Sequence, residues 1–110
     1  MTPRLTARMT VDALMRRVQA EGGFAAVLAR GDDVSGAILL AIAERGAFKR
    51  LLERTLDLEG RYRWTPCGPQ DVESAESRES YIQRRRRSDP DLWLIELDIA
   101  DAERFAAEMT

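Results

Sequence analysis

Apolar residues recur along the chain in two different periods, and the switches between them mark the elements. Val11, Leu14, Met15 and Val18 return at helical spacing while Asp12, Arg16, Arg17 and Gln19 face away, which predicts a first helix with Thr10 as its N-cap. Gly22-Gly23 stops that helix. From Phe24 to Arg30 the period drops to two, with Phe24, Ala26 and Leu28 on one face and Ala25, Val27 and Ala29 on the other, a strand. Gly31-Asp32-Asp33-Val34-Ser35-Gly36 is turn chemistry. Ala37 to Ala43 is apolar on both faces, as a central strand requires.

The second half is less regular. After a short turn at Arg45-Gly46, Phe48, Leu51, Leu52 and Thr55 fit a helical stripe. Yet Asp57-Leu58-Glu59-Gly60 is a turn, and Arg61-Tyr62-Arg63-Trp64 beyond it has the character of a strand, so we read Phe48 to Trp64 as a hairpin whose charges suit an exposed edge. Thr65-Pro66-Cys67-Gly68-Pro69 reads as a loop, and a second helix is expected over about 72–87, ended by Asp89-Pro90 because proline disfavours helical geometry in the residue before it. Trp93, Ile95 and Leu97 alternate with Leu92, Leu94 and Glu96 in a last strand. Asp98 or Asp101 then caps a final helix carrying Ala102, Phe105, Ala106 and Met109. The pattern predicts a single α+β domain over residues 1–110: an antiparallel sheet of about five strands with two to three helices packed on it. The final strand is expected to return inside the sheet.

Composition narrows the chemistry. The chain has 110 residues, 45% of them hydrophobic and 33% charged, enough for one core without disulfides or metals. The net charge of −2 hides heavy use of both signs, and of 17 basic residues all but Lys49 are arginine. The single cysteine, Cys67, has no internal partner, which fits a reducing compartment. The N-terminus has no apolar signal-peptide core, and the longest apolar run, Ala37 to Ala43, is too short to cross a bilayer. A cytoplasmic protein is expected. Histidine is absent altogether, which removes Ser-His and Cys-His nucleophile pairs, histidine metal triads and the usual general base. No cofactor, metal or catalytic residue is indicated.

Two stretches resemble a known family. Gln19-Ala20-Glu21-Gly22-Gly23-Phe24-Ala25-Ala26-Val27-Leu28-Ala29-Arg30-Gly31 with Ser35-Gly36-Ala37-Ile38-Leu39, and Ser88-Asp89-Pro90-Asp91-Leu92-Trp93-Leu94-Ile95-Glu96-Leu97-Asp98, resemble a small bacterial family catalogued as domain of unknown function 1491. Asp-Pro-Asp-Leu-Trp is the most specific piece, and Glu44 to Arg63 departs from it as a longer hairpin. The resemblance implies a single-domain cytoplasmic protein and carries over no activity, cofactor, partner or site residue.

Five constellations remain. Arg84-Arg85-Arg86-Arg87 ends the second helix and could neutralise phosphates, although four successive helical residues point around the axis and cations in a last turn also serve the helix dipole. Glu73, Glu76 and Glu79 in the same segment offset them. Asp89, Asp91, Glu96 and Asp98 could hold a divalent metal or do acid–base work, but a helix stop, a strand start and a cap account for most of them. Trp93 belongs to the core, whereas Trp64, ending a charged edge strand, is the better candidate for a partner surface. Cys67 has no histidine to activate it. The Gly31–Gly36 loop joins strand to strand and carries two aspartates, so it is a turn and no phosphate cradle. The reading adopted is a non-catalytic binding or regulatory module acting through a protein partner or self-association, with Trp64 and Arg84–Arg87 as the candidate interaction surface. Nucleic-acid binding through the arginines is the alternative, a small carboxylate enzyme the second alternative, and no membrane is involved.

Overall fold

A computed structural model of the chain describes residues 5–69 and 74–108. Its elements run α1 (Ala7–Ala20), β1 (Phe24–Ala29), β2 (Ile38–Glu44), β3 (Ala47–Leu56), β4 (Tyr62–Cys67), α2 (Ala75–Ser88), β5 (Trp93–Asp98) and α3 (Ala102–Glu108). This is the expected order: helix, strand, strand, hairpin, helix, strand, helix. The five strands form one sheet in the spatial order β1-β5-β2-β3-β4. The last strand does return to the interior, between β1 and β2.

Most of the sheet is antiparallel, as expected, with one exception. β5 lies parallel to β2, with Ile38 opposite Trp93, Leu40 opposite Ile95 and Ile42 opposite Leu97. The reason is chain reversal. β2, β3 and β4 alternate in direction, so β4 runs the same way as β2. A helix then carries the chain back along the sheet, and β5 sets out in the direction of β4.

The sheet is packed on both faces. Ala7, Val11, Leu14 and Val18 of α1 join Ala102 and Ala106 of α3 over Ile38, Leu40, Ile42, Leu52, Trp93, Ile95 and Leu97. On the opposite face Ile82 of α2 covers Ala29, Leu39, Ala41, Leu51, Leu92 and Leu94. β2 is therefore buried through six successive residues, as its unbroken apolar run requires. α2 contributes one buried residue, Ile82, against five from α1, so the second face is held far more lightly.

Local chemistry sets several boundaries differently from the sequence reading. Thr6, not Thr10, caps α1: it is extended, and its hydroxyl accepts the Met9 N–H at 3.2 Å. Thr10 is buried one turn inside, donating its hydroxyl to the Thr6 carbonyl. The helix starts early because Ala7 already belongs to the buried stripe. β4 runs three residues past Trp64, so Thr65-Pro66-Cys67 is strand and not loop. Pro66 is accommodated because β4 is a sheet edge and loses no ladder bond to a further neighbour. α2 is described from Ala75, which leaves Val72 and Glu73, like Met109, outside the described residues. Asp98 does not cap α3. Its carboxylate accepts the N–H groups of Arg45 at 2.9 Å and Gly46 at 2.8 Å, locking the β2–β3 turn, while Asp101, at φ 59°, immediately precedes α3.

Candidate functional site

The two stretches that carry the family resemblance meet in space. The Gly31–Gly36 loop closes on itself through Asp32, whose carboxylate accepts the N–H groups of Val34 at 3.0 Å and Ser35 at 2.9 Å. Those two N–H groups hold the Asp32 carboxyl below its usual value. The loop then docks onto the start of β5: Asp32 N–H donates to the Asp91 carbonyl at 2.9 Å, and the Trp93 indole N–H donates to the Asp32 carbonyl at 2.7 Å. Gly31 and Gly36 lie so close that a Cβ on either would collide with the Asp91 carbonyl oxygen. The other side of the loop serves α1, whose Ala7 and Arg8 N–H groups donate to the carbonyls of Val34 and Asp33. Loop, helix start and strand start are thus one hydrogen-bonded unit, and Trp93 is core.

The four arginines of α2 divide. Arg85 turns inward and forks onto Glu53 of β3, with one guanidinium nitrogen also donating to the Tyr81 hydroxyl at 2.7 Å. Glu53 raises the Arg85 pKa above its already high ordinary value, and burial pushes the Tyr81 phenol upward. Arg84, Arg86 and Arg87 are exposed. Arg86 and Arg87 share a concavity of about 400 Å³ with Arg30, Gln83 and Pro90, and Arg30 is itself paired with Asp33. Trp64 lies far from all of these, on the α1/α3 face, half-buried, its indole N–H donating to the Ala106 carbonyl at 2.9 Å. The candidate residues therefore occupy two separate surfaces.

The acidic residues do not gather. Asp89 and Asp91 stand at one end of β5 and Asp98 at the other, where it holds the β2–β3 turn. Among the described residues no three His, Cys, Asp or Glu side chains are grouped as metal ligands would be. Cys67 ends β4 against the α2 face, hydrogen-bonded to Tyr81, and burial pushes its thiol pKa up.

One feature the sequence reading passed over is the contrast between the two sheet edges. β4 carries Arg63 and Pro66, with Arg61 just before it, the usual guards against strand addition. β1, Phe24-Ala25-Ala26-Val27-Leu28-Ala29, has no charge and no proline, and Phe24, Val27 and Leu28 are 57%, 43% and 53% exposed. Its one irregularity is a bulge between Val27 and Ala29 on the β5 side. The signal was present as a strand apolar on both faces, a pattern that reads as central until the topology places it at an edge.

The family described as a protein of unknown function (DUF1491) matches residues 5–107. The chain belongs to the DUF1491 family. The crystal structure of a DUF1491 family protein from Caulobacter crescentus CB15 is 31% identical, with a TM-score of 0.79 over 93% of this chain and 94% of that one. An NMR structure of a DUF1491 family protein from the same organism is 30% identical, with a TM-score of 0.74 and 94% of each chain covered. The solution structure of protein Atu0922 from A. tumefaciens is 31% identical, with a TM-score of 0.69 over 90% of this chain and 89% of that one. No curated protein matches the chain. The DUF1491 assignment spans residues 5–107 and brings no activity with it. Among the described residues no helix is long and apolar enough to cross a membrane.

Proposed function

We propose that this DUF1491 domain, spanning residues 1–110, is a non-catalytic binding or regulatory module acting through a protein contact, with β1 as the contact element. The observation that carries the reading is the unguarded edge of β1: backbone groups that no strand among the described residues pairs, beside exposed Phe24, Val27 and Leu28. A second copy of the chain is the simplest occupant, because an antiparallel strand pair about a two-fold axis needs no second sequence. The lone half-buried cysteine and the bacterial sources of the similar structures support a bacterial cytoplasmic setting. Light scattering across a concentration series tests the reading. Dimers should form in the wild type and be lost in V27K and L28K; a wild type that stays monomeric at high concentration defeats self-association.

A second reading, nucleic-acid binding through Arg84–Arg87, draws support from the way Arg86 and Arg87 converge with Arg30. It requires a complex with DNA or RNA at low salt that weakens when Arg86 and Arg87 are replaced by alanine. Absence of any such complex disposes of it.

A further inference from the structure

α1 lies over β1 and β5, the two outermost strands on that side of the sheet. Its two flanks are distinct. Thr10 and Arg17 turn toward the middle of the sheet, Thr10 to Arg54 of β3 and Arg17 to the Phe105 ring of α3. Ala7, Val11, Leu14 and Val18 point down into the core. At about 100° per residue, the flank left on the β1 side is Arg8, Asp12, Met15 and Gln19. Met15 is half-buried and the other three are exposed. Exposed apolar side chains gather on the same side of the molecule. Of the eight large ones among the described residues, Leu5, Met9, Phe24, Val27, Leu28 and Val34 belong to α1, the segment leading into it, β1 or the loop after it. The other two, Leu56 and Leu58, lie at the β3–β4 turn.

Pairing at β1 brings this flank against a second copy. Two β1 strands joined antiparallel about a two-fold axis perpendicular to the sheet lie about 4.8 Å apart, as do β1 and β5. Two helices, each above its own β1–β5 boundary, then stand about 10 Å apart, an ordinary spacing for packed helices. The level is set as well. Val18 lies against Gly23, where a Cβ would come 2.8 Å from Val18 Cγ1. From Gly23 to the middle of β1, at Ala26 and Val27, the strand rises about 12 Å, which a helix covers in about eight residues. α1 runs opposite to β1, so the axis passes near residue 10, between Arg8 and Asp12. These two side chains are only loosely engaged within the chain: they stand 3.9 Å apart, and Arg8 is 3.6 Å from Asp33. An antiparallel copy of the same helix offers each Arg8 the other's Asp12, twice over, and no second sequence is needed.

We propose that α1 is the second half of a homodimer interface: the α1 helices of two copies pack antiparallel across the two-fold axis, Arg8 of each on Asp12 of the other. This rests on the reading of β1 as the contact element and adds to it a helix pair that only a second copy supplies. The test is analytical ultracentrifugation of the full chain and of its R8D and D12R variants, each alone and then mixed. R8D makes the flank doubly acidic and D12R makes it doubly basic, so each alone should dimerise about tenfold or more weakly than the wild type. Both replaced side chains are exposed, so the variants keep the fold. An equimolar mixture should recover dimers of wild-type strength, because an acidic flank then faces a basic one, and native mass spectrometry should find one chain of each kind in them. Dimers indifferent to both charge reversals yet lost in V27K overturn the helix pair and leave the β1 contact standing. Single variants that weaken without recovery on mixing overturn it too. A wild type that stays monomeric at high concentration, or dimers that survive V27K, overturn the β1 contact and the helix pair together.

Discussion

The Asp91 carbonyl oxygen occupies the space that a side chain at position 31 or 36 would need. The Gly36→Ala variant should therefore lose about 3 kcal/mol of stability, read from urea midpoints, because neither the strand start nor the loop can yield without breaking the bonds between them. Asp32 offers a pH test at the same place. Its carboxyl is held low by the Ser35 and Val34 N–H groups, so its stabilisation is present above about pH 4 and is lost as pH falls through the lower folded value. Melting temperature measured downward from pH 5 should fall less steeply in D32N than in the wild type. At Cys67 the direction reverses. Burial raises the thiol, so a disulfide reagent at pH 8 should label the native chain several-fold more slowly than the urea-unfolded one.

Among the described residues, α2 depends on few contacts with the sheet: Ile82 in the core, Tyr81 against Cys67, Arg78 at 4.0 Å over the Phe48 ring, and Arg85 on Glu53. Arg85→Ala should cost about 1.5–3 kcal/mol, because it strands a part-buried carboxylate, and Ile82→Ala about 2–4 kcal/mol. Alanine at Arg84, Arg86 or Arg87 should stay within about 0.5 kcal/mol, as equilibrium denaturation would show. Nothing in the run Arg84-Arg85-Arg86-Arg87 distinguishes its second member. What does so is Glu53, 32 residues away on another element, and such pairings are invisible without the fold. Element types, by contrast, were legible wherever the period was strong: α1, β2 and β5 follow from their apolar spacing, and even the hairpin could be chosen over a helix because of its turn residues. The Thr6 cap was missed because alanine at position 7 carries little apolar weight, although it is almost wholly buried. The edges were missed because strand order is set by long-range pairing, which local pattern does not encode.

At the scale of the molecule, one strand joins two pieces. Among the described residues, β2, β3 and β4 pair with their neighbours in sequence, whereas β1 meets the rest of the sheet only through β5. Amide exchange should accordingly be slowest at Leu94, Ile95 and Leu97, which are covered on both sides and both faces, and an exchange profile peaking in β3 instead would contradict the strand order. The same arrangement has a consequence for biosynthesis. β1 is complete at Ala29, but its only partner begins at Trp93. While the ribosome makes everything in between, an uncharged strand waits with both flanks bare, at the stage when the β2–β4 meander can already form. The growing polypeptide is therefore most vulnerable to mispairing in that interval, and translation speed across it, more than native stability, should govern how much correctly folded protein a cell recovers.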